Sequence, residues 1–197
     1  MILGLAGGVG SGKSLITEYL RDYYDALIIG ADDVARDISQ MEGPAIEAIR
    51  KAFSEYDVFD ANGFMDRGKM GQLVFTEPDK RKVLEDILHP ATLDEIIKRI
   101  TDSTNENPGR MVVLESAIFF ESGCDRFCDE VWYIFADKNV RIGRLVASRG
   151  YSKEKCESII ASQMSDDELR ARSNAIINNS GKFDSTMRQI DEMLGAK

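Results

Sequence analysis

Gly7-Gly8-Val9-Gly10-Ser11-Gly12-Lys13-Ser14 fits G-x-x-x-x-G-K-[ST], a pattern that curls the backbone around phosphate. The flanks decide whether the fit carries meaning. Met1-Ile2-Leu3-Gly4-Leu5-Ala6 is a short apolar run suited to a buried parallel strand. Leu15, Ile16, Tyr19, Leu20 and Tyr23 then recur at helical spacing. Strand, glycine loop and helix, in that order, form the geometry the chemistry requires. Glycine lets the loop turn its N–H groups inward. The helix N-terminus adds free donors and partial positive charge. Lys13 can reach the β- and γ-phosphates of a nucleoside triphosphate, and the Ser14 hydroxyl can ligate Mg²⁺. Gly8, Val9, Gly10, Ser11, Gly12, Lys13 and Ser14 are therefore the candidate ATP contacts of a P-loop NTPase domain.

Four more apolar runs follow: Ala26-Leu27-Ile28-Ile29, Met111-Val112-Val113-Leu114, Val131-Trp132-Tyr133-Ile134-Phe135 and Ala175-Ile176-Ile177. With the first they predict an α/β fold, a five-stranded parallel sheet flanked by helices. Asp32 and Asp33 follow the second run, at the carboxyl edge where such sheets place ligands. Val34, Ala35 and Ile38 predict a helix beginning near Val34, with Asp32 or Asp33 as its cap. Between about residues 43 and 100 strands are missing from the pattern. Helices are expected over 67–75 and 80–100, the second interrupted at His89-Pro90, because proline removes a helical hydrogen bond. This helical stretch is the candidate substrate-binding subdomain of a single domain over 1–197. Further helices are expected from Val140 to Arg149, from Lys153 to Gln163 and from Asp166 to Arg172.

Composition narrows the partners. The 197 residues carry 25 Lys and Arg against 34 Asp and Glu, a net charge of −9. An acidic chain offers no extended basic surface to nucleic acid. No apolar run approaches the roughly 20 residues of a membrane span, and no secretory signal is legible at the start, so a cytoplasmic protein is expected, as a monomer or weak homo-oligomer. Cys124, Cys128 and Cys156 lack the histidines and second cysteine pair of a zinc site and read as structural thiols.

Among P-loop proteins, a GTP switch needs Asn-Lys-x-Asp, and Asp137-Lys138-Asn139 only scrambles it. An ATP-driven remodelling protein ends an apolar strand in acidic residues, which Val112-Val113-Leu114-Glu115 matches in part. A small-molecule kinase needs a carboxylate near the acceptor hydroxyl and arginines over the transferred phosphate. Asp32 and the cluster Arg141, Arg144 and Arg149 suit the kinase.

The chain resembles the dephospho-CoA kinase family over essentially its full length. Beyond the P-loop the resemblance rests on Ala31-Asp32-Asp33-Val34-Ala35-Arg36, Leu88-His89-Pro90, Phe120-Glu121, Arg144, Arg149, Gln163, and Ile177-Asn178-Asn179 before Gly181. It implies ATP-dependent phosphorylation of the 3′-hydroxyl of dephospho-CoA, with Mg²⁺. It further implies Asp32 as general base, and Arg36, His89 and Arg67 as acceptor contacts. Arg144 and Arg149 become cations of a lid over about 138–162, and Asn179 a nucleotide contact. The chain departs from the family pattern at Gly30, Ala117, Leu169 and Ser173-Asn174. Those departures keep two alternatives open: a nucleoside or nucleotide kinase with another acceptor, or a nucleotide-binding regulator without turnover. Glu115 stays without an assigned role.

Overall fold

The structure is a computed structural model that describes residues 1–40 and 43–195. Its five strands are β1 (Ile2–Ala6), β2 (Leu27–Gly30), β3 (Val112–Glu115), β4 (Glu130–Phe135) and β5 (Ala175–Asn178). They lie side by side in the order β2-β3-β1-β4-β5. β1 pairs in parallel with β3, Leu5 opposite Glu115, and with β4, Leu5 opposite Trp132. β4 pairs in parallel with β5, Ile134 opposite Ile177. Each strand falls within a residue or two of an apolar run. The inner strands β3, β1 and β4 are covered on both faces and so are apolar almost throughout, whereas the edge strand β5 leaves Ile176 exposed.

The helices are α1 (Lys13–Tyr24), α2 (Ala31–Ile38), α3 (Ile46–Ala52), α4 (Arg67–Thr76), α5 (Pro78–Glu106), α6 (Lys138–Arg149), α7 (Lys153–Ala161), α8 (Asp166–Arg172) and α9 (Phe183–Met193). The chain divides into two compact units, one of Met1–Ile28 with Glu106–Lys197 and the other Ile29–Asn105.

In the sheet-bearing unit, Leu3, Leu5, Val113, Trp132, Ile134 and Ile177 pack with Ile16, Tyr19 and Leu20 of α1 and Ile190 of α9. Trp132, the one tryptophan of the chain, is 1% exposed, and its indole N–H donates to Glu130 at 3.0 Å. Tyr19 and Tyr24 of α1 both donate to Asp191 Oδ1 on α9, at 2.7 and 2.6 Å, a polar clasp beside this core. Burying each such Leu or Ile contributes about 2 kcal/mol, which holds strands and helices in register. Among the described residues no helix is long and apolar enough to cross a membrane.

In the helical unit, Ile46, Ile49, Phe53, Val58, Met70, Ile96 and Ile100 are buried. Two local expectations fail here. α5 runs unbroken through Pro90, so His89-Pro90 does not interrupt it. An internal proline costs about 3 kcal/mol, an amount the buried Thr92, Ile96, Ile100 and Ser103 on the following turns of α5 are large enough to offset. α2 begins at Ala31, not near Val34, because Gly30 is still extended (φ −86°, ψ 116°) and already occupies the cap position. Asp32 and Asp33 lie in the first turn of α2 and neither caps it. There their charge favours the positive helix end.

Candidate active site

The phosphate loop hangs between β1 and α1, and its shape follows from its glycines. Gly10 and Gly12 hold φ of 77° and 89°, a left-handed conformation that residues with a Cβ seldom adopt. Gly12 is also the cap of α1, and the first turn of that helix holds no acidic residue. The positive end of α1 is thus left for an anion from outside.

What fixes the loop is the satisfaction of its carbonyls from behind. Arg141 Nε donates to the Val9 carbonyl at 2.9 Å. Arg144 Nη1 donates to the Gly10 and Ser11 carbonyls at 3.3 and 3.0 Å, and its Nη2 donates to the Asn179 carbonyl at 2.7 Å. The Asn179 amide donates to the Ser11 carbonyl at 2.7 Å, while its own oxygen accepts from the buried Thr186 hydroxyl at 2.9 Å. Three consecutive carbonyls, Val9 to Ser11, are therefore engaged by side chains of α6 and the end of β5. Turning the carbonyls one way turns neighbouring N–H groups the other, which is how a nest for phosphate oxygens forms. Lys13 Nζ donates to the Gly7 carbonyl at 2.6 Å, lying along the loop it is expected to serve. Ser14 is exposed on the first turn of α1, and Ser11 is buried with its hydroxyl unpartnered.

The sequence expectation gave Arg144 to the transferring phosphoryl group and Asn179 to the nucleotide. The structure puts both against the loop backbone. Arg149 closes α6, exposed, with its guanidinium 6.0 Å from the Tyr151 ring. Arg141, read from sequence only as a neighbour of Arg144 on one helix face, is 5% exposed and touches the loop directly. Burial lowers its pKa, with Asp166 and Tyr133 opposing the shift. Gln163 accepts from the Val9 N–H at 2.9 Å. Its place in the loop's support has no signal in spacing, since it lies 154 positions away.

Beside Gly7 and Gly8 a cavity of about 220 Å³ opens, walled by Ile118, Phe119 and Phe120 and rimmed by Glu121 and Gln163. Two positions that depart from the family pattern, Ala117 and Leu169, line it. A third, Asn174, is structural: its Oδ1 accepts from the Val131 N–H at 2.7 Å and its own N–H donates to the Val131 carbonyl. Glu115 ends β3, half-buried.

In the helical unit a second cavity, of about 260 Å³, is lined by Asp32, Arg36, Ser39, Arg67, Met70 and Leu88 among others. It brings Arg67 of α4 together with Asp32 and Arg36 of α2, about thirty positions earlier in sequence. Arg67 Nη2 donates to the Arg36 carbonyl at 2.8 Å and the Ser39 hydroxyl at 2.9 Å. Desolvation, then the charge of Arg36, lowers the Arg67 pKa. Two guanidinium groups that repel each other make a corner suited to phosphate. Arg36 also pairs with Asp33. His89 is exposed on α5 and does not line this cavity.

The donor set fits a magnesium nucleotide. Among the described residues no group of three or more His, Cys, Asp or Glu could hold a metal by itself. Mg²⁺ needs no such cage: it keeps several waters and is held by nucleotide phosphates and one or two protein oxygens. The exposed Ser14 hydroxyl would be one such oxygen.

The chain is similar to known proteins over nearly its whole length. The sequence model of the family described as CoaE, dephospho-CoA kinase, matches residues 1–185. A dephospho-CoA kinase of Symbiobacterium thermophilum is 38% identical over 191 residues, covering 96% of this chain and 78% of that protein. The crystal structure of TT1252 from Thermus thermophilus superposes with a TM-score of 0.79 at 26% identity, covering 99% of this chain and 96% of the other. The dephospho-CoA kinase from Campylobacter jejuni shares the fold, with a TM-score of 0.72 at 23% identity over 98% of this chain and 96% of its own.

Proposed function

Because the chain belongs to the dephospho-CoA kinase family, we propose that it transfers the γ-phosphoryl group of ATP to the 3′-hydroxyl of dephospho-CoA, giving coenzyme A and ADP. The observation that carries this reading is the phosphate loop, its carbonyls held by Arg141, Arg144 and Asn179, in a chain matched over 1–185 by that family.

The α1 N-terminus and loop N–H groups other than that of Val9, which is bonded to Gln163, hold the β- and γ-phosphates. Lys13 leaves the Gly7 carbonyl for those phosphates, where its charge follows negative charge to the leaving oxygen. Ser14 Oγ would hold Mg²⁺, which when bound would neutralise phosphate charge. The cavity of the helical unit holds the acceptor, with Arg36 and Arg67 on its phosphate groups. The acceptor oxygen bonds to the γ-phosphorus as the bond from phosphorus to the β-phosphate oxygen breaks. Asp32 takes the hydroxyl proton. His89 orients the acceptor from α5. Residues 138–162 act as a lid that excludes water, with Arg149 at the outer end of α6 as the cation free to approach the nucleotide. Arg144 acts on the phosphoryl group through the loop it braces.

The test is ADP formation from ATP and Mg²⁺ across a panel of acceptors. Dephospho-CoA should be phosphorylated at its 3′-hydroxyl, and nucleosides and nucleotides should be poor acceptors. ATP binding without acceptor-dependent ADP release would contradict the proposal.

A further inference from the structure

The segment from Arg141 to Gln163 leaves the phosphate loop and returns to it at the same residue. Arg141 Nε donates to the Val9 carbonyl at 2.9 Å, and Gln163 Oε1 accepts from the Val9 N–H at 2.9 Å. Arg141 Nη2 donates to that same Oε1 at 3.1 Å, closing a triangle on one residue. Behind it, Asp166 lies 3.6 Å from Arg141 Nη1 and accepts from the Tyr133 hydroxyl at 2.6 Å. The site is built to admit these groups. A Cβ on Gly8 would fall 2.1 Å from Arg141 Nη2 and 3.0 Å from Gln163 Oε1.

Apolar packing repeats the connection. α6 and α7 share a small cluster of Ile142, Leu145 and Cys156, with Tyr151 and Ile160 against it, and the Val9 side chain packs into that same cluster. One residue of the phosphate loop is thus part of the core of the α6–α7 hairpin. Both of its backbone groups are bonded by the two ends of that hairpin. A shift of α7 loads Val9 through the side chain, and a change in the loop's curl loads Gln163 through the backbone.

We infer that Gln163, with Arg141, is a positioning residue: it fixes the curl of the phosphate loop through Val9 and couples the seating of α7 to nucleotide binding. This rests on the reading of the loop as the ATP site, not on the acceptor. Losing the acceptor of this partly buried N–H is costly because no protein group replaces the bond, and here the strain falls on the loop.

The test titrates a non-hydrolysable ATP analogue with Mg²⁺ into the wild-type chain, Gln163→Ala and Gln163→Glu by calorimetry. It adds steady-state kinetics and hydrogen exchange of residues 153–161. Gln163→Glu retains an oxygen for both donors. Gln163→Ala should weaken analogue binding about tenfold, a change of ~1.4 kcal/mol, and raise KM for ATP alike, with kcat within about threefold of wild type. Gln163→Glu should restore binding to within about threefold. Analogue binding should slow exchange in α7 of the wild type, and less so in Gln163→Ala. Unchanged binding in Gln163→Ala, failure of Gln163→Glu to rescue, or equal α7 protection in both chains would overturn the inference. Should Gln163→Ala fail to fold, Gln163→Asn, one methylene short of Val9, is held to the same outcomes. A wild type that binds the analogue yet never phosphorylates dephospho-CoA would overturn the proposed reaction and leave this coupling standing.

Discussion

Asn179 reaches across 168 positions of sequence to donate its amide to the Ser11 carbonyl at 2.7 Å, so the end of β5 shapes the loop after β1. Asn179→Ala removes one of the two donors to that carbonyl, which keeps Arg144, and takes the acceptor from the buried Thr186 hydroxyl. Each buried polar group left unpaired costs about 1–3 kcal/mol. The variant should melt several degrees lower and bind ATP more weakly, read by calorimetry and by KM. A melting temperature and KM like those of wild type would remove Asn179 from the loop's support.

Lys13→Ala deletes the cation proposed for the transferring phosphates. A charge-assisted contact in a preorganised site is worth enough that turnover should fall at least about a hundredfold. Steady-state ADP release measures it, and a near-normal rate would contradict the assignment of the loop.

Asp32→Asn separates chemistry from folding more cleanly than the sequence allowed, since Gly30 holds the cap position of α2. The substitution removes a first-turn charge, an effect of about 0.3–1 kcal/mol, and asparagine keeps the size of the side chain and an oxygen to accept hydrogen bonds. The melting temperature should barely move while turnover falls by roughly 10²–10⁴. Full turnover would take Asp32 out of the proton transfer.

Arg67→Ala should raise KM for dephospho-CoA by about tenfold, the worth of one charged contact, and leave KM for ATP within about twofold. Equal effects on both substrates would place Arg67 outside the acceptor's phosphate corner.

The polar clasp of α1 on α9 sets two pH limits. Hydrogen bonds from Tyr24 and Tyr19 hold the Asp191 carboxylate below its ordinary range. A depressed carboxylate stabilises the fold above the unfolded value of ~3.9 and loses that contribution as pH falls through the lower folded value. The bond to Asp191, then burial, raises Tyr19 to about 12. That contribution is complete below ~10 and is lost as pH rises toward 12. Asp191→Asn should flatten both limbs of the melting-temperature profile. Unaltered limbs would mean that other groups set them.

How legible the molecule was depended on range. β1 and α1 were readable because the loop motif and the apolar runs on either side agree over a few residues. Pro90 misled because a local rule met a 29-residue helix anchored by Ile96 and Ile100. The start of α2 was misplaced because Gly30 leaves no side-chain signal at a cap. Arg144 and Gln163 were visible as residues, but the loop carbonyls and the loop N–H they bond lie more than a hundred positions distant. Nothing in spacing encodes such a contact. Asp32, Arg36 and Arg67 were named one by one, and the cavity they share came only with tertiary structure.

The burial of Trp132 has a spectroscopic consequence. As the sole indole, packed on β4 among Leu3, Leu5 and Ile134, it makes tryptophan fluorescence, excited beyond tyrosine absorption, a reporter of the sheet-bearing unit alone. Melting of the helical unit, which has no tryptophan, leaves that emission unchanged when it precedes loss of the sheet. Fluorescence and far-ultraviolet dichroism would then give different midpoints for one chain, and their separation measures how far the two units unfold as one.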